Sequence, residues 1–378
     1  MSVTEVEFAV VGAGIAGVSC AYHLAGNGPL VILEREHVAA YHTTGRSAAL
    51  YTETYGNAVI RAITVASGPF YRQPPAGFAD VPLLSPRGVL VVGDATRAAD
   101  LDAAWTEYHA MDATIRRLDQ AETWKMHPLL SPDAVDGGVY EPKAEDMDVA
   151  AIHGGFLKGA RAKGATLRLK AEVVGLARKQ GKWHLALGDG DTIVATSVIN
   201  AAGAWCDALA ALAGARPIGL VPKRRTAFTF DAPEGVDTRP LPAVIHVDES
   251  FYFKPEVGQF LGSPADETPS PPCDAQPEEI DIAIAVERIE AVSSLRIRRI
   301  KNKWAGMRSF VADKTFVVGH DAEAEGFFWL AGQGGYGIQS APAMGRLSAA
   351  LALGKGMPND LKASGVTEAT LSPARLRP

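Results

Sequence analysis

Cysteine is scarce: three in 378 residues, widely spaced, which rules out a disulfide framework and offers no metal-ligand spacing. Cys20 falls in a helical pattern expected to pack on a sheet, so it reads as a buried thiol. Basic charge is also in short supply, with 37 Lys and Arg against 43 Asp and Glu and a net charge of −6. The one dense basic run, Lys223-Arg-Arg225, is too short to track phosphates, so no nucleic-acid partner is expected. No apolar run approaches a membrane span, and no integral membrane segment is expected. The opening Met1-Ser-Val-Thr-Glu-Val-Glu7 lacks the basic segment and apolar core of a signal peptide. Repeats and long low-complexity stretches are missing as well. These absences lead to the expectation of a soluble cytoplasmic protein, long enough for a large core and two domains.

What the sequence does carry is Phe8-Ala-Val-Val-Gly12-Ala-Gly14-Ile-Ala-Gly17, running on to Leu24. A short apolar run meets a tight turn and then a helical pattern, with glycines at the three G-x-G-x-x-G positions. Gly12 permits the turn, Gly14 lets backbone N–H groups approach a pyrophosphate, and Gly17 lets the helix pack close to the strand. A second strand, Pro29–Leu33, ends at Glu34, about twenty residues on, where a carboxylate can hold a ribose hydroxyl. Strand, helix and acid agree on a dinucleotide site.

Further along, Tyr41–Ala49 is small and polar and precedes a helix from Asn57 to about Tyr71. A Pro-rich break follows, then a strand at Arg87–Val92 and helices at about Arg97–Met111 and Gln120–Met126. Asp148–Lys163 is helical and stops at Gly164. Strands are expected at Ala165–Lys170, Ala171–Arg178 and Lys182–Leu187. Another runs through Thr192–Asn200 into Ala201-Ala-Gly-Ala-Trp205, a second strand-to-helix crossing. Beyond Pro217 the texture is β-rich, at Lys223–Phe230, Ala243–Val247, Ser250–Lys254 and Gln259–Gly262. A helix at about Pro277–Val292 precedes a strand at Leu295–Ile300. The last unit is Phe316–Gly319, Gly326–Ala331, the cluster Gly332-Gln-Gly-Gly-Tyr-Gly337 and a helix from Ile338 to Leu353. That cluster points a helix N-terminus at a ligand. The tail from Leu361 reads as surface.

Periodicity does not separate NAD from FAD, but the motifs do. Val11–Gly17 with Leu33-Glu-Arg35, His42–Ser47, Asn200–Trp205, Pro222–Arg225, Asp248–Tyr252, Ala305–Asp313 and Gln333–Gln339 together resemble the FAD-dependent D-amino-acid oxidase superfamily. The nearest likeness is to the bacterial D-arginine dehydrogenases, over essentially the whole chain. The resemblance implies an α/β fold: a Rossmann-like FAD-binding domain (1–80, 145–218 and 305–378) plus a mixed or antiparallel-sheet substrate domain (81–144 and 219–304). It implies non-covalent FAD held by Gly12, Ala13, Gly14, Ile15, Ala16, Gly17, Glu34 and Arg35. The loop Thr43, Thr44, Gly45, Arg46, Ser47, Ala48 and Ala49 joins them. So do Val173, Val174, Ala202, Gly203 and Trp205, and finally Arg308, Gly334, Gly335, Tyr336, Gly337, Ile338 and Gln339. No metal is implied.

The chemistry implied is oxidative deamination of a D-amino acid: hydride leaves Cα for the flavin, and the imino acid hydrolyses to a 2-oxo acid and ammonia. Arg225 and Arg308 stand where the family clamps the substrate carboxylate, with the hydroxyl of Tyr252 beside them. Tyr55 stands where the family places a tyrosine over the substrate on a mobile loop, and the resemblance implies that backbone groups around Gly335 and the side chain of Gln339 face the substrate amine and the flavin. No general base is required. The pocket residues implied are Leu50, Thr52, Val89, Ala243 and Ile245. Two of these depart from the D-arginine dehydrogenase pattern: Leu50 replaces a histidine, and Val89 replaces the glutamate that pairs the substrate guanidinium. Neutral, apolar D-side chains are therefore expected. The alternative is a secondary-amine oxidase of the sarcosine or proline type. The electron acceptor, oxygen or quinone-like, stays open.

Overall fold

The computed structural model describes residues 2–377. Its first sheet grows from the strand Val3–Val11, whose last four residues are apolar and buried. Leu30–Leu33 lies parallel on one side of it and Thr192–Asn200 parallel on the other. Side chains alternate across a strand, so Phe8 and Val10 enter one core and Ala9 and Val11 another. The first of these cores includes helices Ile15–Leu24, Val149–Ala162 and Ala341–Ala352; the second includes Cys206–Leu212. Both faces being covered explains why these strands read as continuous apolar runs. The eight-stranded sheet ends at Thr166–Arg168 on one edge and at the hairpin Val173–Lys179 and Lys182–Leu187 on the other. Phe327–Ala331 adds in parallel beside Thr192–Asn200 and brings Val317–His320 with it. Cys20 is fully buried, as its helical position implies.

A nine-stranded sheet builds the other half. Its order is Thr268–Pro269, Val221–Asp231, Gln259–Ser263, Tyr252–Glu256, Ala243–His246, Val89–Gly93, Gly137–Glu141 and Arg116–Leu118. Ile300–Phe310 pairs antiparallel with Val221–Asp231 along nearly its full length. Three short strands, Leu50–Tyr51, Glu145–Met147 and Leu84–Pro86, form a small third sheet.

Four sequence expectations need correction. Residues 295–299 are not strand; the strand is Ile300–Phe310, selected by its long partner rather than by local alternation. The last long helix starts at Ala341, not Ile338, because Gly332 (φ +72°) and Gly334 (φ +51°) hold the preceding segment in turns. The strand Gly137–Glu141 was not expected, since two glycines mask its pattern and pairing on both sides creates it. The tail is not plain surface. Leu361, Val366 and Leu371 are all but fully buried in the same core as the first helix.

That last correction is testable. Leu361→Ala should cost about 2–5 kcal/mol of stability, the usual range for truncating a buried leucine. Urea unfolding of the two proteins at equal FAD concentration measures it; a difference no larger than that of an exposed-site control would return the tail to the surface.

Candidate active site

The carboxyl ends of Val3–Val11, Leu30–Leu33, Thr192–Asn200 and Phe327–Ala331 meet where neighbouring strands leave the sheet in different directions, the usual ligand crevice of such folds. Here the backbone is pressed together. Gly12 sits at φ +106°, and a Cβ on it would lie 2.3 Å from the Ala201 carbonyl oxygen. A Cβ on Gly17 would lie 1.9 Å from the Gly12 oxygen. Gly14 caps helix Ile15–Leu24 with no side chain of its own. The cap comes from a distance: Thr44 Oγ1 accepts from Ile15 N at 3.0 Å. His153 Nε2 donates to the Ala13 oxygen at 2.9 Å, and burial lowers that imidazole's pKa. Glu34 lies against the same turn, its two oxygens accepting from Ala13 N and Glu36 N at 3.0 Å each.

From this turn a continuous cavity of about 280 Å³ runs to the nine-stranded sheet. The segment Thr43–Ala49 spans the seam. Thr43 Oγ1 donates to the Met307 oxygen at 2.7 Å, and Trp304 Nε1 donates to the Arg46 oxygen at 2.9 Å. The Arg46 guanidinium is consumed by Tyr41, Ala275, Ala305 and Asp274, which makes it a brace between the sheets.

Arg225 and Arg308 reach the cavity from adjacent antiparallel strands. Arg225 pairs with Gly306, two residues from Arg308, so both side chains leave the same face. The protein leaves them short of anions. Arg225 has one long contact, 3.5 Å to Glu267 Oε1, and its buried Nε has no partner. Glu267 is already shared with Lys223 at 2.8 Å and Lys314 at 3.7 Å. Arg308 Nη1 donates to the Tyr55 hydroxyl at 3.3 Å and, among the described residues, forms no ion pair. Burial, and then the like charge of Arg308, lowers the Arg225 pKa. Gly335 is packed against this pair: a Cβ there would stand 3.0 Å from Arg308 Nη1. Gln339 lines the cavity, but its amide donates to Thr64 Oγ1 at 2.9 Å. Gln333 offers a buried amide nitrogen with no partner on the same wall.

Most expected residues converge on this cavity. Gly14, Ile15, Ala16, Thr43, Thr44, Arg46, Ser47, Ala48, Ala49, Gly203 and the run Gly334, Gly335, Gly337, Ile338 and Gln339 line it. So do Leu50, Thr52, Tyr55, Val89, Arg225, Ile245, Tyr252 and Arg308. Others sit behind the wall. Ala13 and Gly45 are structural, and Ala243 is packed beside Val89 rather than lining the cavity. Ala202 and Tyr336 also lie off the wall, with the Tyr336 ring 4.8 Å from that of Tyr55. Arg35 stacks over Trp205 at 4.9 Å, outside the cavity. Val173 and Val174 lie on an edge strand, with Val174 exposed.

The structure also adds residues that local sequence did not point to. Val91, Val247 and Ala265 extend the apolar wall, while Thr54, Tyr108, Glu141 and Glu249 bring polar groups. Glu141 is buried, and Thr54 Oγ1 donates to its Oε2 at 2.8 Å. The only local sign for Glu141 was an acid closing the short run Gly137–Tyr140. These residues fit a bound FAD: a glycine cradle that a Cβ would fill, a helix N-terminus whose own N-cap residue, Gly14, has no side chain, and orphaned donors on the opposite wall.

Burial raises the Glu141 carboxyl from 4.5 to about 7. The folded protein therefore keeps a proton there that the unfolded chain has released. The stability this contributes is complete below pH 4.5 and is lost as pH rises through about 7. The swing is on the order of 3 kcal/mol. Glu141→Gln should remove it, so that the stability of the variant relative to the native protein climbs across that interval and then levels. Denaturant midpoints across pH check this, and parallel profiles would contradict it.

The profile of the family described as FAD dependent oxidoreductase (DAO) matches residues 7–351. The chain is 26% identical over 265 residues to the mitochondrial dimethylglycine dehydrogenase of Rattus norvegicus, covering 68% of this chain and 30% of that protein. It thus matches less than a third of that curated relative's length. Among solved structures, L-proline dehydrogenase from P. horikoshii aligns with a TM-score of 0.83 at 20% identity, over 99% of this chain and 98% of that one. Glycine oxidase from Geobacillus kaustophilus aligns with a TM-score of 0.79 at 20% identity, over 93% and 95%.

Proposed function

Because the chain belongs to the DAO family of FAD dependent oxidoreductases, we propose that it oxidises the carbon–nitrogen bond of an amine bearing a carboxylate, with D-amino acids as substrates. The observation that carries this reading is the pair of half-buried guanidiniums, Arg225 and Arg308, facing the cavity without, among the described residues, adequate anions of their own. A partly desolvated ion left unpaired destabilises the fold, and a substrate carboxylate meeting both guanidiniums removes that cost. Two planar guanidiniums also fix the carboxylate's orientation, and with it the position of Cα. Bound in the cradle, FAD supplies the acceptor for the hydrogen that leaves Cα. Tyr55 and Tyr252 shape the space over the substrate, and Gly335 keeps the wall beside Arg308 thin. No side chain is assigned as a base, since an amine that has lost its proton releases hydride unaided. The products are a 2-oxo acid and ammonia.

The apolar wall of Leu50, Val89, Val91 and Ile245 supports a preference for neutral side chains while Glu141 keeps its proton, each buried methylene contributing about 0.8 kcal/mol. The division into a cofactor domain and a substrate domain belongs to the same reading. It is supported by the two large sheets, although Ile300–Phe310 carries the second sheet past residue 305. Three unpaired cysteines suit the reducing cytoplasm also proposed.

A second reading, oxidation of a secondary or tertiary amine, is favoured by the likeness to proteins named dimethylglycine dehydrogenase and L-proline dehydrogenase. Anaerobic reduction of the flavin separates the two. D-leucine and D-methionine should reduce it faster than sarcosine, dimethylglycine or proline; the reverse order would hand the function to the second reading. Amino-acid amides should fail, because they lack the carboxylate. Arg308→Met should raise the dissociation constant of the reducing substrate at least tenfold, above about 1.4 kcal/mol, with FAD content unchanged. Equal reduction by amides and free acids would remove the clamp from the account. The FAD is proposed to be non-covalent, and acid precipitation should leave it in the supernatant; flavin that pellets with the chain would show a covalent link.

A further inference from the structure

We infer that Glu141, with Thr54 and Tyr108, forms a subsite for a cationic group at the far end of the substrate side chain, across the cavity from Arg225 and Arg308. The inference rests on the carboxylate clamp proposed above. Glu141 is the cross-strand partner of Val89, so its side chain leaves the sheet on the face that Val89 presents to the cavity. In the next strand Ala243 pairs with Val89, and Ile245 lies two residues on along the same face. The acid therefore closes the apolar row at the end farther from Arg225 in the strand order.

Its surroundings leave it without a cation. Among the described residues no Lys, Arg or His forms an ion pair with Glu141, and its one side-chain donor is Thr54. The neighbouring cations are engaged: Lys143 with Asp112 at 3.0 Å and Arg61 with Glu107 at 2.7 Å. Glu53 and Asp112 face it as like charges, and Glu249 and Tyr108 line the same end of the cavity. His246, also on the wall, is held by Asp248. A carboxylate accepts about four hydrogen bonds, so the Thr54 hydroxyl and the Glu53 backbone N–H leave part of its capacity open.

The span is suitable too. Thr54 touches Glu141, and the next residue, Tyr55, touches Arg308 through its hydroxyl. Adjacent residues thus bridge the two ends and cap their separation at under about 20 Å, compatible with an extended basic amino acid hydrogen-bonded at each end. Protonation sets the mode. Below about pH 7 burial keeps Glu141 neutral and the cavity suits uncharged side chains; above it the carboxylate meets a cation.

Two unreactive probes test this on the FAD-loaded protein: 5-guanidinopentanoate and hexanoate, which share the carboxylate but lack the α-amine. Binding is read from the perturbation of flavin absorbance. The affinity ratio, guanidinium probe over hexanoate, should rise at least tenfold between about pH 6 and about pH 8.5. In Glu141→Gln it should stay flat. A ratio that does not move in the native protein, or that moves equally in the variant, overturns the subsite. The ratio is taken within one protein, so a general loss of binding in the variant cannot imitate the effect. If hexanoate binding is unaffected by Arg308→Met, the clamp itself fails and takes this subsite with it.

Discussion

Two half-buried guanidiniums on one face of paired strands lack an adequate anion among the described residues. Arg225 and Arg308 leave neighbouring strands on one face, and the nearest acid, Glu267, is divided among three cations. Like charges on one face and partly removed from water destabilise the folded state until something negative arrives. The rest of the cavity is arranged around this deficit. The eleven-residue strands Val221–Asp231 and Ile300–Phe310 pair over nearly their whole length, which fixes both arginines where a loop would let them swing out to solvent.

Opposite them the backbone does the work that side chains do elsewhere. Gly12 and Gly17 bring strand, turn and helix closer than any Cβ allows, leaving the helix N-terminus open towards the cavity. The segment Thr43–Ala49 ties the two halves together. Thr44 caps the helix of one sheet's layer, while Thr43 and Arg46 bond to Ile300–Phe310 in the other. The glycine turn and the proposed carboxylate clamp are thereby held in register, as transfer of a hydrogen between two bound molecules would demand. Across the cavity Glu141 is the complement of the arginines: a buried acid without a cation, where they are cations without an adequate acid.

The cofactor half was legible because its signals are local. A glycine turn between an apolar strand and a helix occupies ten consecutive residues, and each glycine answers a steric need of its immediate neighbours. The acid at Glu34 was legible as well, though its oxygens accept from Ala13 N in that turn and from Glu36 N two residues on. The arginines were noticed through family motifs; composition alone does not distinguish them from surface residues. Glu141 escaped notice because its strand contains two glycines and its contacts come from Thr54, 87 positions away. His153, 140 positions from the carbonyl it holds, escaped for the same reason. The buried tail was misread because Leu361, Val366 and Leu371 are spaced singly among polar residues.

By itself, then, the sequence determined the turn that cradles a dinucleotide, the order of most elements and the α/β class, because short-range sterics and periodicity are written in neighbouring residues. Tertiary structure decided which charges lie without partners. A side chain's ion pairing, burial and acidity depend on groups brought from distant strands, and no local pattern records that Lys223 and Lys314 would occupy Glu267 or that, among the described residues, no cation would pair with Glu141. Pairing between remote strands, not propensity, turned 300–310 and 137–141 into the two walls that carry Arg308 and Glu141.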